Sequence, residues 1–429
     1  MKTKNSLVRA LSVLAICFLL SFNAFGQDDK SAQAEHSLIT QHLMTMVEHN
    51  SELKRMLIDS IEQAKKINPD KITNPAQTLE EYYAFIDWAA KALPWSILPN
   101  SQYSKLYDQI DQSLDYFYFI NDQPLSELKA RGYYNNSLQY HEPYRSWMIL
   151  FIKDWGIYLS KEGSWTNEYY KKALEDDRFG LGKGWYEDPS KWKTFNDFFA
   201  RHLKSPDQRP IASPDNPSIV SSPADSKPQG VWKIDRDSNV VHGEGVAIKS
   251  KVFKSIAALI GEGSAYTDAF ANGTLTHTFL DVNDYHRYHF PIGGTIKEVR
   301  IIQSDDAAGG LTTWDPRIKR YLLDANTPGW QMIETRGCVI VETKEYGLVA
   351  LLPIGMSQVS SVNFEDTVKV GNTVEKGDML GYFLFGGSDI VMLFQSNVDF
   401  KLTVPQDSDR TYKHILMGEK YGELTTKTR

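Results

Sequence analysis

Two cysteines in 429 residues leave little room for disulfide chemistry. Cys17 lies inside the apolar run near the N-terminus, and Cys338 then has no partner within the chain, so a buried structural thiol is expected there. Long hydrophobic runs are also scarce: after Ala10–Phe22 no segment reads as a bilayer span. Positive charge is in deficit, with a formal net charge of −7. That balance argues against a nucleic-acid partner and against a polybasic route to anionic lipid. The G-x-S-x-G signature of an ordinary serine hydrolase is not met at Gly386-Gly387-Ser388-Asp389-Ile390, where the last glycine is missing.

The first segment is read as a secretory signal peptide over residues 1–26. Lys2, Lys4 and Arg9 precede the apolar run, and Ala24-Phe25-Gly26 supplies small residues at the spacing of a cleavage site. Cleavage after Gly26 removes three cations and no acid, taking the formal charge to −10. The mature protein is thus expected to be exported, periplasmic or secreted.

The remainder reads as an α+β chain. From Ser37 to Ile67, Ile39, Leu43, Val47, Leu53, Leu57 and Ile61 recur at helical spacing, which predicts a helix or a helix pair. Thr78-Leu79-Glu80-Glu81 caps a third segment that Pro94 closes, and two aromatic-rich helices follow, "SKLYDQIDQSLDYFYFI" and "PYRSWMILFIKDWGIYLSK". These define a helical domain over 36–180. Thr194-Phe195-Asn196-Asp197 caps a short helix, and beyond Val220 short β-branched runs between Gly, Asp and Asn predict a β-rich domain, the second domain spanning 194–429. "SKVFKSIAALIG" is a helix candidate within it. "VKVGNTVEKGDMLGYF" sets Gly371, Gly377 and Gly381 at turns of a compact sandwich similar to the hammerhead of biotinyl and lipoyl domains.

Three features could carry chemistry. "LDVNDYHRYHFPIGG" packs Asp281, Asp284, His286, Arg287 and His289 into nine positions. Two histidines three apart suit metal ligation, acid-base work or a solvated surface; on a helix they share a face and on a strand they oppose. Asp225 in "SSPADSKPQG" suits a turn or an N-cap as well as a catalytic carboxylate. "LFGGSDI" is either a hairpin turn or a bond built to break. Were Ser388, a histidine and Asp225 to meet, the carboxylate would orient imidazole and imidazole would activate the hydroxyl.

Several motifs in one order give more. "FFARHLKSPDQRPI", "SPAD", "DYHRYHFPIGG", "LPIGMSQVSSV" and "KGDMLGYFLFGGSDIVMLF" resemble the phosphatidylserine decarboxylase family over roughly 194–404. The helical half, followed by "TFNDFFARHLKSPDQRPIASPDN", resembles the extra domain of pyruvoyl tryptophan decarboxylases. The resemblance implies a β-rich decarboxylase domain that cuts itself between Gly387 and Ser388. It further implies a pyruvoyl group made from Ser388, His289 as the base for that serine, and Asp225 orienting His289. His286 is the candidate to protonate the carbon left when carbon dioxide departs. The chain differs from the family pattern at Ser226, where glycine is usual, and at Asp389, where Thr or Ser is usual.

The substrate expected is phosphatidylserine, because export sets the enzyme beside phospholipid and Lys249, Lys251 and Lys254 alternate with apolar residues on a candidate helix over 248–260 that could meet headgroups. A free aromatic amino acid such as tryptophan is the alternative that the helical half favours. A zinc hydrolase using His286 and His289, and a non-catalytic binding protein, complete the readings. Peripheral membrane contact and self-association into a homo-oligomer are further expectations.

Overall fold

The computed structural model describes residues 35–93, 103, 106, 112–131, 136–241, 255–303, 312–323, 330–355, 362–385 and 389–427. The signal-peptide segment, Pro94, Lys249, Lys251, Lys254, Gly387 and Ser388 lie outside them.

The first amphipathic stretch is a helix pair, α1 (Leu38–His49) and α2 (Ser51–Ile67). The break falls at Asn50, whose side-chain oxygen accepts the Leu53 N–H at 3.0 Å and so starts a second helix rather than continuing the first. Both helices turn Leu43, Val47, Leu53, Leu57 and Ile61 inward. α3 (Leu79–Ala89) begins on Thr78, which accepts the Glu81 N–H at 3.2 Å. α4 (Gln112–Asn121) and α5 (Tyr144–Leu159) bring the aromatic stripes into one core, where Tyr82, Tyr116, Tyr144 and Trp147 are fully buried. Tyr82 and Tyr144 share a 2.6 Å hydrogen bond there and both reach Asn121, which satisfies hydroxyls that burial would otherwise leave costly. α6 (Asn167–Ala173) and α7 (Phe195–Phe199) follow, the latter opened by a capping box between Thr194 and Asp197.

The strands are β1 (Ile219–Ser221), β2 (Lys227–Ile234), β3 (Val240–Val241), β4 (Thr274–Phe279), β5 (Arg287–His289), β6 (Gly294–Ile302), β7 (Thr312–Asp315), β8 (Arg320–Leu323), β9 (Thr335–Glu342), β10 (Leu348–Gly355), β11 (Val362–Phe364), β12 (Thr373–Val374), β13 (Met379–Phe383), β14 (Asp389–Phe394), β15 (Val398–Leu402) and β16 (Lys420–Thr426), with α8 (Ile256–Ile260) between β3 and β4. Among the described residues they form an eight-stranded sheet in the order β12-β6-β9-β10-β14-β4-β2-β3, three-stranded sheets β1-β16-β15 and β11-β13-β5, and the hairpin β7-β8. β9, β10 and β14 read as unbroken apolar runs because both faces of the large sheet are covered. Val341, Leu351, Ile390 and Met392 pack into one core, whereas Cys338, Ile340, Leu352, Val391 and Leu393 pack into another. Cys338 is free and buried, as expected, and burial pushes its thiol up to about 12.

Four expectations need correction. β13 pairs with β11 and β5 while β14 pairs with β10 and β4, so the residues between them join two sheets and do not close a hairpin. Gly371 and Gly377 sit at turns with φ of 92° and 94°, but Gly381 lies inside β13, where the Asn363 carbonyl and the Tyr288 ring leave no room for a Cβ. The described part of the 248–260 helix is only α8, and it buries Ile256, Leu259 and Ile260 in the core. Finally, 36–180 and 194–429 are not separate bodies: His36–Arg429 is one compact unit, and Trp155, Leu159 and Trp165 share a core with strands of the C-terminal half.

Tyr321 on β8 shows how the halves interlock. Its ring lies 5.3 Å from Tyr116 and 4.9 Å from Phe119, its hydroxyl accepts from Asn68 Nδ2 at 2.8 Å and donates to the Thr73 carbonyl at 2.8 Å, and its backbone N–H donates to Gln112 Oε1 at 2.8 Å. Tyr321→Ala is expected to cost about 3–5 kcal/mol in urea unfolding, and Tyr321→Phe a smaller part of that, because only the second keeps the ring.

Candidate active site

The segment Asp284–His289 leaves a turn at Asp284 and enters β5 at Arg287 without forming a helix, so its two histidines meet different surroundings. His286 is fully buried and stacks on Phe199 with ring centres 3.6 Å apart. Both of its ring nitrogens are without a hydrogen-bond partner among the described residues. Burial, and next the Arg201 cation, hold its pKa well below the usual imidazole range, so the ring is neutral at pH 7. Its own carbonyl accepts the Phe383 N–H at 2.9 Å, which docks the end of β13 against it. Phe385, two residues further on, packs on Phe199 at 5.3 Å.

His289 is positioned by main chain. Its Nδ1 lies 2.8 Å from the Gly377 carbonyl, and a carbonyl can only accept, so Nδ1 carries the proton and Nε2 presents its lone pair. The Tyr285 hydroxyl approaches Nε2 at 3.3 Å. Burial lowers the His289 pKa to about 4, against an opposing pull from the Gly377 carbonyl and from Asp225. The Gly377 carbonyl is itself fixed because the Gly377 N–H donates to the Phe290 carbonyl at 2.8 Å, in a turn that needs the positive φ of glycine.

Asp225 does not hydrogen-bond His289. Its carboxylate takes a two-pronged contact from Arg209, at 2.9 Å from Nε and 2.6 Å from Nη2, and the Met417 N–H at 2.8 Å. Its influence on His289 is electrostatic, across space. Ser226, where glycine was the usual residue, fits without strain: its hydroxyl accepts from Thr278 Oγ1 at 2.7 Å and donates to the Ala224 carbonyl at 3.2 Å. Asp281 and Asp284 stand beside the histidines, and Asp284, pushed up to about 6 by burial, accepts from His414 Nε2 at 2.8 Å.

Gly387 and Ser388 lie outside the described residues, but both flanks are placed. On one side the Phe385 N–H donates to Asn196 Oδ1 at 2.9 Å, and its ring meets Trp155 at 5.3 Å and Phe195 at 5.7 Å. On the other, Asp389 opens β14. A cleft of about 450 Å³, lined by Ser160, Trp192, Asn196, His202, Arg287 and Tyr382, opens beside Leu384. Among the described residues no three His, Cys, Asp or Glu side chains converge as a metal set.

Sequence reasoning missed Arg209, Phe199 and the Gly377 carbonyl. Arg209 stood within "SPDQRPI", and a lone arginine among turn residues reads as solvated; here it is 1% exposed. Removing one member of a buried pair strands the other, so Arg209→Ala is expected to lose about 3–5 kcal/mol in urea unfolding. Asp225→Asn in the same chain should recover a large part of that loss.

Residues 195–423 match the family model for phosphatidylserine decarboxylase. Among curated relatives, phosphatidylserine decarboxylase proenzyme 2 of rice is 32% identical over 243 residues, 56% of this chain and 36% of its own. The phosphatidylserine decarboxylase proenzyme of Fusobacterium nucleatum is 28% identical over 298 residues, 63% of this chain and 83% of its own. Decarboxylase iboD of Amanita muscaria is 28% identical over 286 residues, 61% of this chain and 79% of its own. The chain thus spans about a third of the rice protein and most of the other two. With the model covering more than half of the chain and the shared motifs seated around His286, His289 and Asp225, the chain belongs to the phosphatidylserine decarboxylase family.

Proposed function

We propose that the protein cuts itself between Gly387 and Ser388 and then acts as a pyruvoyl-dependent decarboxylase, converting phosphatidylserine to phosphatidylethanolamine and carbon dioxide. The observation that carries this reading is His286: a fully buried imidazole that feels the Asp284 main chain yet has neither ring nitrogen in a full hydrogen bond among the described residues, one ring away from Phe385, which the Gly-Gly-Ser segment follows in the sequence. Leaving such nitrogens dry is costly unless a reacting group or substrate takes them up.

Self-cleavage draws on residues already in place. His289 Nε2, neutral and approached by the Tyr285 hydroxyl at 3.3 Å, accepts the Ser388 hydroxyl proton as the oxygen attacks the Gly387 carbonyl, and the C–N bond between the two residues breaks as the Ser388 nitrogen takes up that proton. The ester so formed eliminates the Gly387 carboxylate across Cα and Cβ of residue 388, and water hydrolyses the resulting dehydroalanine to a ketone with release of ammonia. The cut leaves the short chain, residues 388–429, anchored, since β14 lies inside the large sheet and β15 and β16 in another. His414 and Met417 of that short chain also bind Asp284 and Asp225 of the long one.

The residues described fit a pyruvoyl group made from Ser388: Phe385, three positions before it, packs on Phe199, which stacks on the buried neutral imidazole of His286. When formed, that group supplies a ketone that draws off the electrons released with carbon dioxide. His286, neutral at rest, takes up a proton on a ring nitrogen during turnover and passes it to the carbon that carbon dioxide leaves, and Phe199, Phe385 and Tyr285 keep water from competing. Asp225 maintains a negative field beside His289 while Arg209 keeps it in place.

A second substrate reading is a free aromatic amino acid. It is favoured by the helical half reaching the site, with Trp155 on Phe385 and Ser160 in the wall of the cleft beside Leu384. That packing narrows the approach for a lipid.

Purified mature protein is expected as two chains by intact mass. His289→Ala should remain a single chain, and His286→Ala should cleave yet lose roughly 100-fold or more in turnover. A His286→Ala protein that stays uncleaved, beside a His289→Ala protein that matures, reverses the two roles. Because the folded-state pKa of His289 is lowered from its ordinary value to about 4, the base is present throughout neutral pH. Cleavage should run level from about pH 8 to 5 and fall as pH nears 4. The unfolded chain binds more protons than the folded one between those pKa values, so stability also falls as pH drops through about 6.5. Phosphatidylserine vesicles and, separately, tryptophan, tyrosine and phenylalanine then test the substrate. Arylamine without phosphatidylethanolamine at any vesicle composition gives the second reading.

A further inference from the structure

One buried ionic cluster plays no part in the chemistry above. Asp389, the residue that follows Ser388 in the chain, is fully buried at the start of β14. Its carboxylate lies 2.9 Å from His277 Nδ1, and Gln331 Nε2 donates to it at 2.8 Å. His277 is on β4 and fully buried, with its ring stacked on Trp232 at 5.0 Å. Gln331 comes from a short 3-10 turn, Trp330–Ile333. The register explains the meeting: Asp389 stands opposite Phe279 and His277 opposite Val391, so the two side chains lie diagonally on one face of the sheet. The second nitrogen of His277 has no partner among the described residues.

A carboxylate buried in an otherwise apolar face is retained only with compensation, and here it comes from two donors on two separate elements. The residue so held is the one bonded to position 388. Before self-cleavage it fixes the backbone that leads out of the scissile bond. Afterwards it is the first residue behind the new chain end, which has lost its tether to Gly387. β14 is paired on both sides from Asp389 onward, and the contacts of the Asp389 side chain add a further constraint on that residue.

We propose that Asp389, His277 and Gln331 form an anchor that positions the chain end generated at Ser388, both for self-cleavage and for turnover. They act through residue 388 and do not touch substrate. The inference rests on the self-cleaving decarboxylase reading and adds to it three positioning residues from β14, β4 and the 3-10 turn.

The test uses the full mature chain and whichever substrate the wild type turns over. Asp389→Ala removes the anchor without leaving a buried charge. It is expected to cleave about tenfold more slowly, and its cleaved form to lose about tenfold in kcat with KM within a factor of about two. Asp389→Asn, which still accepts from both donors, should restore both rates to within about threefold of wild type. His277→Gln strands the carboxylate and should slow cleavage at least as much as Asp389→Ala, while His277→Gln with Asp389→Asn should be faster than His277→Gln alone. Wild-type rates and kcat in Asp389→Ala, or a loss that appears only in KM, overturn the anchor while the decarboxylase reading stands. A wild-type chain that never cleaves overturns both. If His277→Gln does not fold, the contrast between Asp389→Ala and Asp389→Asn decides alone, with equal defects in the two counting against the anchor.

Discussion

The structure is governed by one passage of the chain. β13 ends at Phe383 in a small sheet and β14 begins at Asp389 inside the large one, so the chain changes sheets between these two strands. A hairpin would have set its own geometry through two paired strands. A crossover must be held by whatever packs against its two ends, and the rest of the site serves that need. On the β13 side, His286 accepts the Phe383 N–H and Asn196 accepts the Phe385 N–H. On the β14 side, ladders to β10 and β4 take hold at Asp389.

Around this passage buried guanidinium groups are held by fixed acceptors, and His286 and His289 stay neutral. Arg209 closes on Asp225, while Arg201 spends its donors on the carbonyls of Phe198, Asn283 and Asp284, capping the loop that leads into His286. Arg287 reaches the Ala200 carbonyl and Glu365. These guanidinium groups rigidify loops that carry little regular structure, because each planar fork satisfies several fixed acceptors at once. Such pairs contribute less to stability than to holding one arrangement, since desolvation offsets much of their attraction. The histidines are left with low pKa values and available lone pairs, the condition a general base needs at neutral pH.

Local features were legible in the sequence and long-range partners were not. Thr78 and Thr194 announced helix starts because a cap is a contact between residues three apart. The stretch from Ser37 to Ile67 stayed open as one helix or two until the Asn50 cap divided it. The histidine pair, Asp225 and the glycine turn were found through motif order. By contrast, Arg209 with Asp225, Gly377 with His289 and His277 with Asp389 are separated by 16, 88 and 112 positions, and no periodicity reports such pairings. Gly381 was misplaced because glycine marks both turns and close strand approaches, and only the neighbouring Asn363 backbone tells them apart. The buried face of α8 could not be separated from a lipid-facing one, since both present the same apolar stripe.

The boundary near residue 194 shows where composition misleads. Aromatic helices before it and β-branched runs after it suggest two independent domains, and the family match begins at residue 195. Yet Trp155 of α5 packs on Phe385, Trp165 stacks on Phe198 at 4.1 Å, and Ser160 and Ser164 bond Asn196 and the Phe195 N–H. Those contacts converge on α7 and on the residues just before the glycine turn. A helical half that was only tethered would leave Phe385 exposed and Asn196 free to rotate away from the N–H it fixes. The aromatic stripe of α5 therefore forms one wall behind Phe385, so the flank that leads to Gly386 is held partly by residues outside the family's matched region.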